Sequence, residues 1–369
     1  MPKPHFAARP ELSGLAPYNF GLTLEDVRAR SCGGPVAKLG SNENPYPMAK
    51  EVRTAIEGTL GQTHLYPDPR ARALSASLSK RTGLAPEALV FGDGSEDLLN
   101  ILCRAVLRVG DDVITLYPSF PLHEDYARMM GAEVTRIALT ADRRIDVAGL
   151  CEAMARPHRL TLLSNPSNPT GLWLDPRALA AVLDAQHPES VLCLDEAYAE
   201  YAVGTEYRSG LDLLESHRKP LLVLRTFSKA YGLAALRIGY GASNSRDLLA
   251  AMNLVRTPFN VNGVAQVAAE AALAHGDRME AAVRASLNER ARMKIALEEM
   301  GLQVLPSKGN FLFVDCGKNA MTVADRLLDR GVVVKPWKQP GFETFLRVSA
   351  GLPRETTQFL NALPDCLDR

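Results

Sequence analysis

One lysine of this chain sits among hydroxyls and beside a second cation. The segment Leu224-Arg225-Thr226-Phe227-Ser228-Lys229-Ala230-Tyr231 follows the apolar run Pro220 to Leu224, which reads as a buried strand, and Leu236-Arg237-Ile238-Gly239 comes soon after. Burial and a neighbouring positive charge both disfavour an ammonium ion, so the Lys229 amine is expected to be a nucleophile able to form a Schiff base with an aldehyde. Ser228 and Arg237, with Thr226 alongside, could clamp a phosphate.

Other polar groups follow apolar runs in the same way. Gly92-Asp93-Gly94-Ser95-Glu96 opens a helix after a strand, where free backbone amides and a serine hydroxyl suit a phosphate. On its own such a turn is often only a helix cap. Asn165-Pro166-Ser167-Asn168-Pro169-Thr170-Gly171 is stiff enough to present the Asn168 amide to a ligand oxygen. Asp195 ends the run Val191 to Leu194 and precedes Glu196-Ala197-Tyr198, so its partly desolvated carboxylate calls for a cation such as a protonated pyridine nitrogen. An aldehyde-seeking amine, a phosphate clamp and a buried carboxylate together describe a site for pyridoxal phosphate.

The elements that must position these groups are legible as short apolar runs at 88–91, 113–117, 160–163, 191–194 and 221–224, separated by helical or turn-rich segments. Near-continuous apolar strands imply a mainly parallel sheet covered by helices, hence an α/β fold with ligand groups at the carboxyl ends of the strands. Residues 262–300 suggest one long helix leading out of that sheet. Runs at 310–315, 332–334 and 345–349, with a helix near 320–330, predict a smaller α+β domain. The expected divisions are an N-terminal arm with part of the small domain at 1–40, a large domain at 41–262 and a small domain at 263–369.

Composition excludes several partners. The 42 Lys and Arg residues balance the 42 Asp and Glu residues, so no bulk basic charge invites nucleic acid or an anionic membrane. No apolar run approaches membrane-spanning length, no signal peptide is recognisable, and a cytoplasmic location is expected. The six cysteines are scattered and the seven histidines lack metal-ligand spacing, so no metal is expected and the histidines are assigned structural or surface roles.

Taken together, these segments resemble the fold-type I pyridoxal-phosphate aminotransferases, from Ser41-Asn42-Glu43-Asn44-Pro45-Tyr46 through Arg347. Ala16-Pro17-Tyr18, Leu65-Tyr66-Pro67-Asp68 and Leu346-Arg347-Val348-Ser349-Ala350-Gly351 are similar to the histidinol-phosphate aminotransferase branch. The resemblance implies that Lys229 is the Schiff-base lysine and that Asp195 holds the pyridinium. It implies that Asn168 and Tyr198 contact the ring oxygen, and that Gly94, Ser95, Glu96, Thr226, Ser228 and Arg237 surround the cofactor phosphate. Phe120 would stack on the ring, and Tyr66 would reach the phosphate in a neighbouring subunit of a homodimer with shared active sites. Tyr18, Asn42, Arg347 and Lys335 fall on the substrate side.

The expected reaction moves an amino group from histidinol phosphate or an aromatic amino acid to 2-oxoglutarate by ping-pong chemistry. Lys335 stands where that branch generally carries a second arginine, and lysine binds phosphate only as a point charge. A decarboxylase of the same fold, similar to threonine-phosphate decarboxylase, is the main rival. A non-catalytic cofactor-binding regulator is a further one, although the residues before Ser41 show no DNA-binding pattern.

Overall fold

Strands with apolar side chains at successive positions are stable only when both faces are covered. The computed structural model, which describes residues 8–17, 21–31, 34–202 and 204–367, has that arrangement. Strand β1 (Ala37–Lys38) belongs to the N-terminal segment. Seven strands then build one sheet: β2 (Leu89–Gly92), β3 (Asp112–Tyr117), β4 (Glu133–Ala138), β5 (Leu160–Ser164), β6 (Val191–Asp195), β7 (Leu221–Thr226) and β8 (Gly239–Ser243). Their order across the sheet is β2-β8-β7-β6-β5-β3-β4, with β8 antiparallel to both neighbours and every other pairing parallel.

Alternation of side chains divides the core in two. From β6 and β7, Leu192, Leu194, Leu221 and Val223 join one cluster, with helices that include Arg72–Thr82, Pro176–Ala185 and Gly263–Ala274. Val191, Cys193, Leu222 and Leu224 point to the other face, packed by helices Ser95–Val106 and Arg246–Val255. All eight are buried, and full burial of such a leucine or valine contributes about 2 kcal/mol.

The smaller unit is built from β9 (Gln303–Val304), β10 (Phe311–Asp315), β11 (Val332–Val333), β12 (Lys335–Pro336) and β13 (Phe345–Ser349). An antiparallel sheet runs β12-β13-β10-β9, while β1 pairs parallel with β11. Ala37 and Leu39 enter this unit's core with Leu312, Val348 and Phe359.

One expectation needs correction. The helix expected over 262–300 is two, Gly263–Ala274 and Gly276–Glu299, divided at His275. The first of them packs Ala265, Ala268, Ala269 and Leu273 into the large-sheet cluster. Its alanines permit close approach to the helices Lys50–Thr59 and Arg72–Thr82. Strands β4 and β8 also escaped the sequence reading. β4 is an edge strand with no fully buried position, and β8 is built largely of small residues that pair without an apolar signature.

Those small residues have a purpose. A Cβ on Gly239 would lie 2.5 Å from the Ser95 amide nitrogen, 2.7 Å from the Gly94 carbonyl carbon and 2.9 Å from the Arg225 carbonyl oxygen. All three are backbone atoms and cannot swing away. Gly239→Ala is therefore expected to destabilise the protein by about 2 kcal/mol in urea denaturation. A shift as small as that of Gly61→Ala, where nothing lies within 4 Å, would contradict the close approach.

Candidate functional site

The parallel strands end on one side of the sheet, and the chemical groups gather there. Gly94 has φ 84°, and a Cβ on it would meet the Arg237 guanidinium at 2.6 Å. Helix Ser95–Val106 starts at that glycine with no side-chain cap, so its first amides are offered to an outside acceptor. Arg237, itself at φ 56°, is aimed there by the carbonyls of Ala234 (3.3 Å) and Asp93 (3.1 Å), and it donates to Ser228 Oγ at 3.4 Å. Thr226 Oγ1 accepts from the Ser228 amide at 3.1 Å, fixing the turn that carries both Ser228 and Lys229. Glu96 borders this cradle, accepting from Tyr126 Oη at 2.8 Å with its other oxygen 3.9 Å from Arg237. The result is an anion seat with a cationic wall and a backbone floor.

Lys229 Nζ donates to the Ser41 carbonyl at 3.0 Å. Its pKa is lowered to about 8, chiefly by burial and then by the Arg347 charge, with Arg237 adding and Glu43 and Asp195 opposing. Near neutral pH an appreciable fraction of the amine is thus unprotonated. Asp195, at the end of β6 and only 6% exposed, accepts from the Ala197 amide at 3.2 Å and lies 3.4 Å from His123 Nε2. His123 is buried beside that carboxylate. It stands on the helix Pro121–Met129 that follows β3, where no local sequence pattern marks it out.

Asn168 and Tyr198 meet, with Asn168 Nδ2 donating to Tyr198 Oη at 3.4 Å. Asn42 lies between Ser41 and Glu43, which line the cavity. At φ 54° its side chain turns to donate to Tyr198 Oη at 3.0 Å and to accept from Ser349 Oγ at 2.9 Å, behind the cavity wall.

A cavity of about 630 Å³ joins Ser95, Asp195, Ser228, Lys229 and Arg237 to Phe120 on one side and to Lys335, Trp337, Lys338, Gln339 and Arg347 of the smaller unit on the other. Lys335 and Arg347 are directly paired across β12 and β13, so their side chains leave the same face of that sheet. Arg347 donates to Asn168 Oδ1 and to the Gly40 carbonyl, both at 2.7 Å. Burial, with Arg347 and then Lys338, lowers the Lys335 pKa to about 8. Phe120 meets His123 edge-on at 5.7 Å. Tyr66 is 82% exposed, stacked at 4.6 Å on Phe259 and outside its own chain's cavity. Tyr18 lies outside the described residues.

Among the described residues no group of side chains could hold a metal ion, five cysteines are unpaired, and no helix is long and apolar enough to cross a membrane.

This site belongs to a known architecture. The family model for aminotransferase class I and II matches residues 35–363. The chain is 48% identical over 365 residues to histidinol-phosphate aminotransferase 3 of Rhizobium meliloti, covering 99% of each, and 47% identical over 367 residues to histidinol-phosphate aminotransferase 1 of Mesorhizobium japonicum, covering 100% of each. The crystal structure of histidinol-phosphate aminotransferase from Sinorhizobium meliloti in complex with pyridoxal-5'-phosphate is similar to it with a TM-score of 0.89 and 30% identity, over 99% of this chain and 98% of that one. Thermus thermophilus aspartate aminotransferase, at 22% identity and a TM-score of 0.78, shares the fold. With an uncapped glycine turn facing Arg237 and a desolvated lysine within the same cavity, the chain belongs to the class I and II aminotransferases and is a pyridoxal-phosphate-dependent enzyme of fold type I.

Proposed function

We propose that the protein transfers the amino group of histidinol phosphate to 2-oxoglutarate, with Lys229 as the catalytic amine and the two half-reactions sharing one site in ping-pong order. The observation that carries this reading is a single cavity holding both the Lys229 and Asp195 pair and the cationic pair Lys335 and Arg347. An amino donor with an anionic end suits that combination, and the two relatives nearly half identical to the chain bear the histidinol-phosphate aminotransferase name. The Lys335 ammonium supplies a point charge for a phosphate, beside the planar fork of Arg347.

The residues present fit the cofactor. Gly94 and Gly239 leave room that a Cβ would fill, and the Ser95 turn, Ser228 and Arg237 would hold its phosphate. Asp195, nearly buried and held by the Ala197 amide, would keep a proton on the ring nitrogen, with His123 behind it fixing the carboxylate. Asn168 and Tyr198 would hold the ring oxygen, and Phe120 would cover one face. When bound, pyridoxal phosphate supplies an aldehyde carbon for amine capture and a ring that accepts electrons from the substrate α-carbon. Lys229, largely desolvated, would take the substrate α-proton as a neutral amine and deliver it to the carbon that the cofactor's aldehyde supplies. Ser41 orients that amine through its carbonyl. Tyr66, exposed on its own chain, would complete the site of a second copy.

Lys229→Ala is expected to leave at most trace turnover and no borohydride-reducible link to the cofactor, and a full-rate variant would sink the assignment. Glutamate formed from 2-oxoglutarate identifies the reaction, whereas release of carbon dioxide would point to decarboxylation. A panel of histidinol phosphate and aromatic amino acids should give the highest kcat/KM for the phosphate.

The protein should sediment at twice the 40.1 kDa chain mass. Mixing Lys229→Ala and Tyr66→Ala subunits should restore activity through hybrids with one intact site, and no recovery would argue against shared sites.

Lys335 gives a pH signature. Its ammonium is present below about pH 8 and is lost as the pH rises through that value, so kcat/KM for histidinol phosphate should decline there. Lys229 titrates in the same range with the opposite sign, since its neutral amine is gained as the pH rises. Lys335→Arg separates the two, and its alkaline limb should move to higher pH. An unmoved limb would exclude Lys335 as a reader of the phosphate.

A further inference from the structure

Gln339 occupies the seam where the smaller unit meets the large sheet. Its Oε1 accepts from Trp337 Nε1 at 2.8 Å and from the Ser119 amide at 3.2 Å. Both neighbours can only donate, so this end of the carboxamide must be oxygen, and the opposite end is the NH2 group. Next to it, Tyr117 Oη donates to the Pro340 carbonyl at 2.8 Å. The Trp337 contact lies within the smaller unit. Ser119 instead directly precedes Phe120 on the large-sheet side. The side chain therefore spans the two walls of the cavity it lines.

The Nε2 group has no acceptor among the described residues. Gln339 shares the cavity wall with Lys335, Lys338 and Arg347. A carboxamide whose oxygen is pinned by two donors is pre-oriented, so its two N–H groups can bind an anion without a further loss of side-chain freedom.

We infer that Gln339 is a specificity-determining residue whose NH2 group donates to the phosphate of the amino donor, together with Lys335 and Arg347, while its oxygen holds the two walls of the cavity in register. The inference rests on the reading of the donor as a phosphate ester. It adds a neutral hydrogen-bonding member to the two cations already assigned.

Gln339→Glu separates the two ends of the side chain. A carboxylate still accepts from Trp337 and Ser119, but it replaces the NH2 group by a negative oxygen. Steady-state kinetics in the holoenzyme with histidinol phosphate and with histidinol, which lacks the phosphate, reads the difference. Like-charge repulsion should raise KM for histidinol phosphate about tenfold or more, with KM for histidinol changed less than about twofold. Gln339→Leu removes both ends, and it should raise KM for histidinol phosphate and lower kcat with both donors.

An unchanged KM for histidinol phosphate in Gln339→Glu, alongside a raised one in Lys335→Ala, would overturn the role of Gln339 and leave the donor reading standing. Equal use of histidinol and histidinol phosphate by the unaltered enzyme would overturn the donor reading, and the role of Gln339 with it.

Discussion

A lysine amine must be partly withdrawn from water beside two guanidinium groups, and much of this architecture follows from that constraint. Lys229 stands just beyond the end of β7 with Arg347 and Arg237 both acting on its charge, and burial is the largest cause of its lowered pKa. Such a place is unfavourable for an ammonium ion and useful for a nucleophile. The backbone around it must be rigid, or the side chain would swing to solvent. Rigidity comes from the parallel sheet on one side and from the Ser41 carbonyl on the other.

The sheet end is braced by a buried ionic network on the neighbouring residues. Glu196, fully buried, follows Asp195 and pairs with Arg225 at 3.0 Å, while Arg225 also reaches Glu200 at 2.9 Å. Ser209 Oγ and the Gly210 amide each donate to Glu196 at 2.6 Å. Burial raises the Glu196 pKa and the Arg225 charge opposes that shift. A buried pair of this kind contributes little net stability but is costly to break, which makes it a device for holding geometry. It ties β6 to β7 at the level where Asp195 and Lys229 leave the sheet.

The second half of the site arrives from the smaller unit and depends on its docking. Phe311 packs against Tyr198 at a ring distance of 5.0 Å, and Phe313, Trp337 and Phe345 cluster with Leu172. Arg143 crosses the seam to Asp315 at 3.2 Å and lies over the Phe345 ring. The segment 37–42 runs between the units, pairing β1 with β11 and receiving the Ser349 amide on the Leu39 carbonyl at 2.8 Å. Cation pairing across β12 and β13 thus becomes a property of the same cavity as the amine.

The amino-acid sequence by itself determined the parts whose signals are local. The apolar runs of β5, β6 and β7 could only be covered strands, and the residue types after them were enough to place Lys229, Asp195, Asn168 and Ser228 at one edge. Tertiary structure decided what local pattern cannot carry. His123 carries no distinctive motif, and only packing sets its ring 3.4 Å from Asp195. β8 became a strand because its small residues permit the close approach of β2 and β7, a contact between segments distant in sequence. The turn of Asn42 onto Tyr198, the alanine-lined docking of helix Gly263–Ala274 and the bridging amide of Gln339 are of the same kind, because each depends on a surface supplied by another part of the chain.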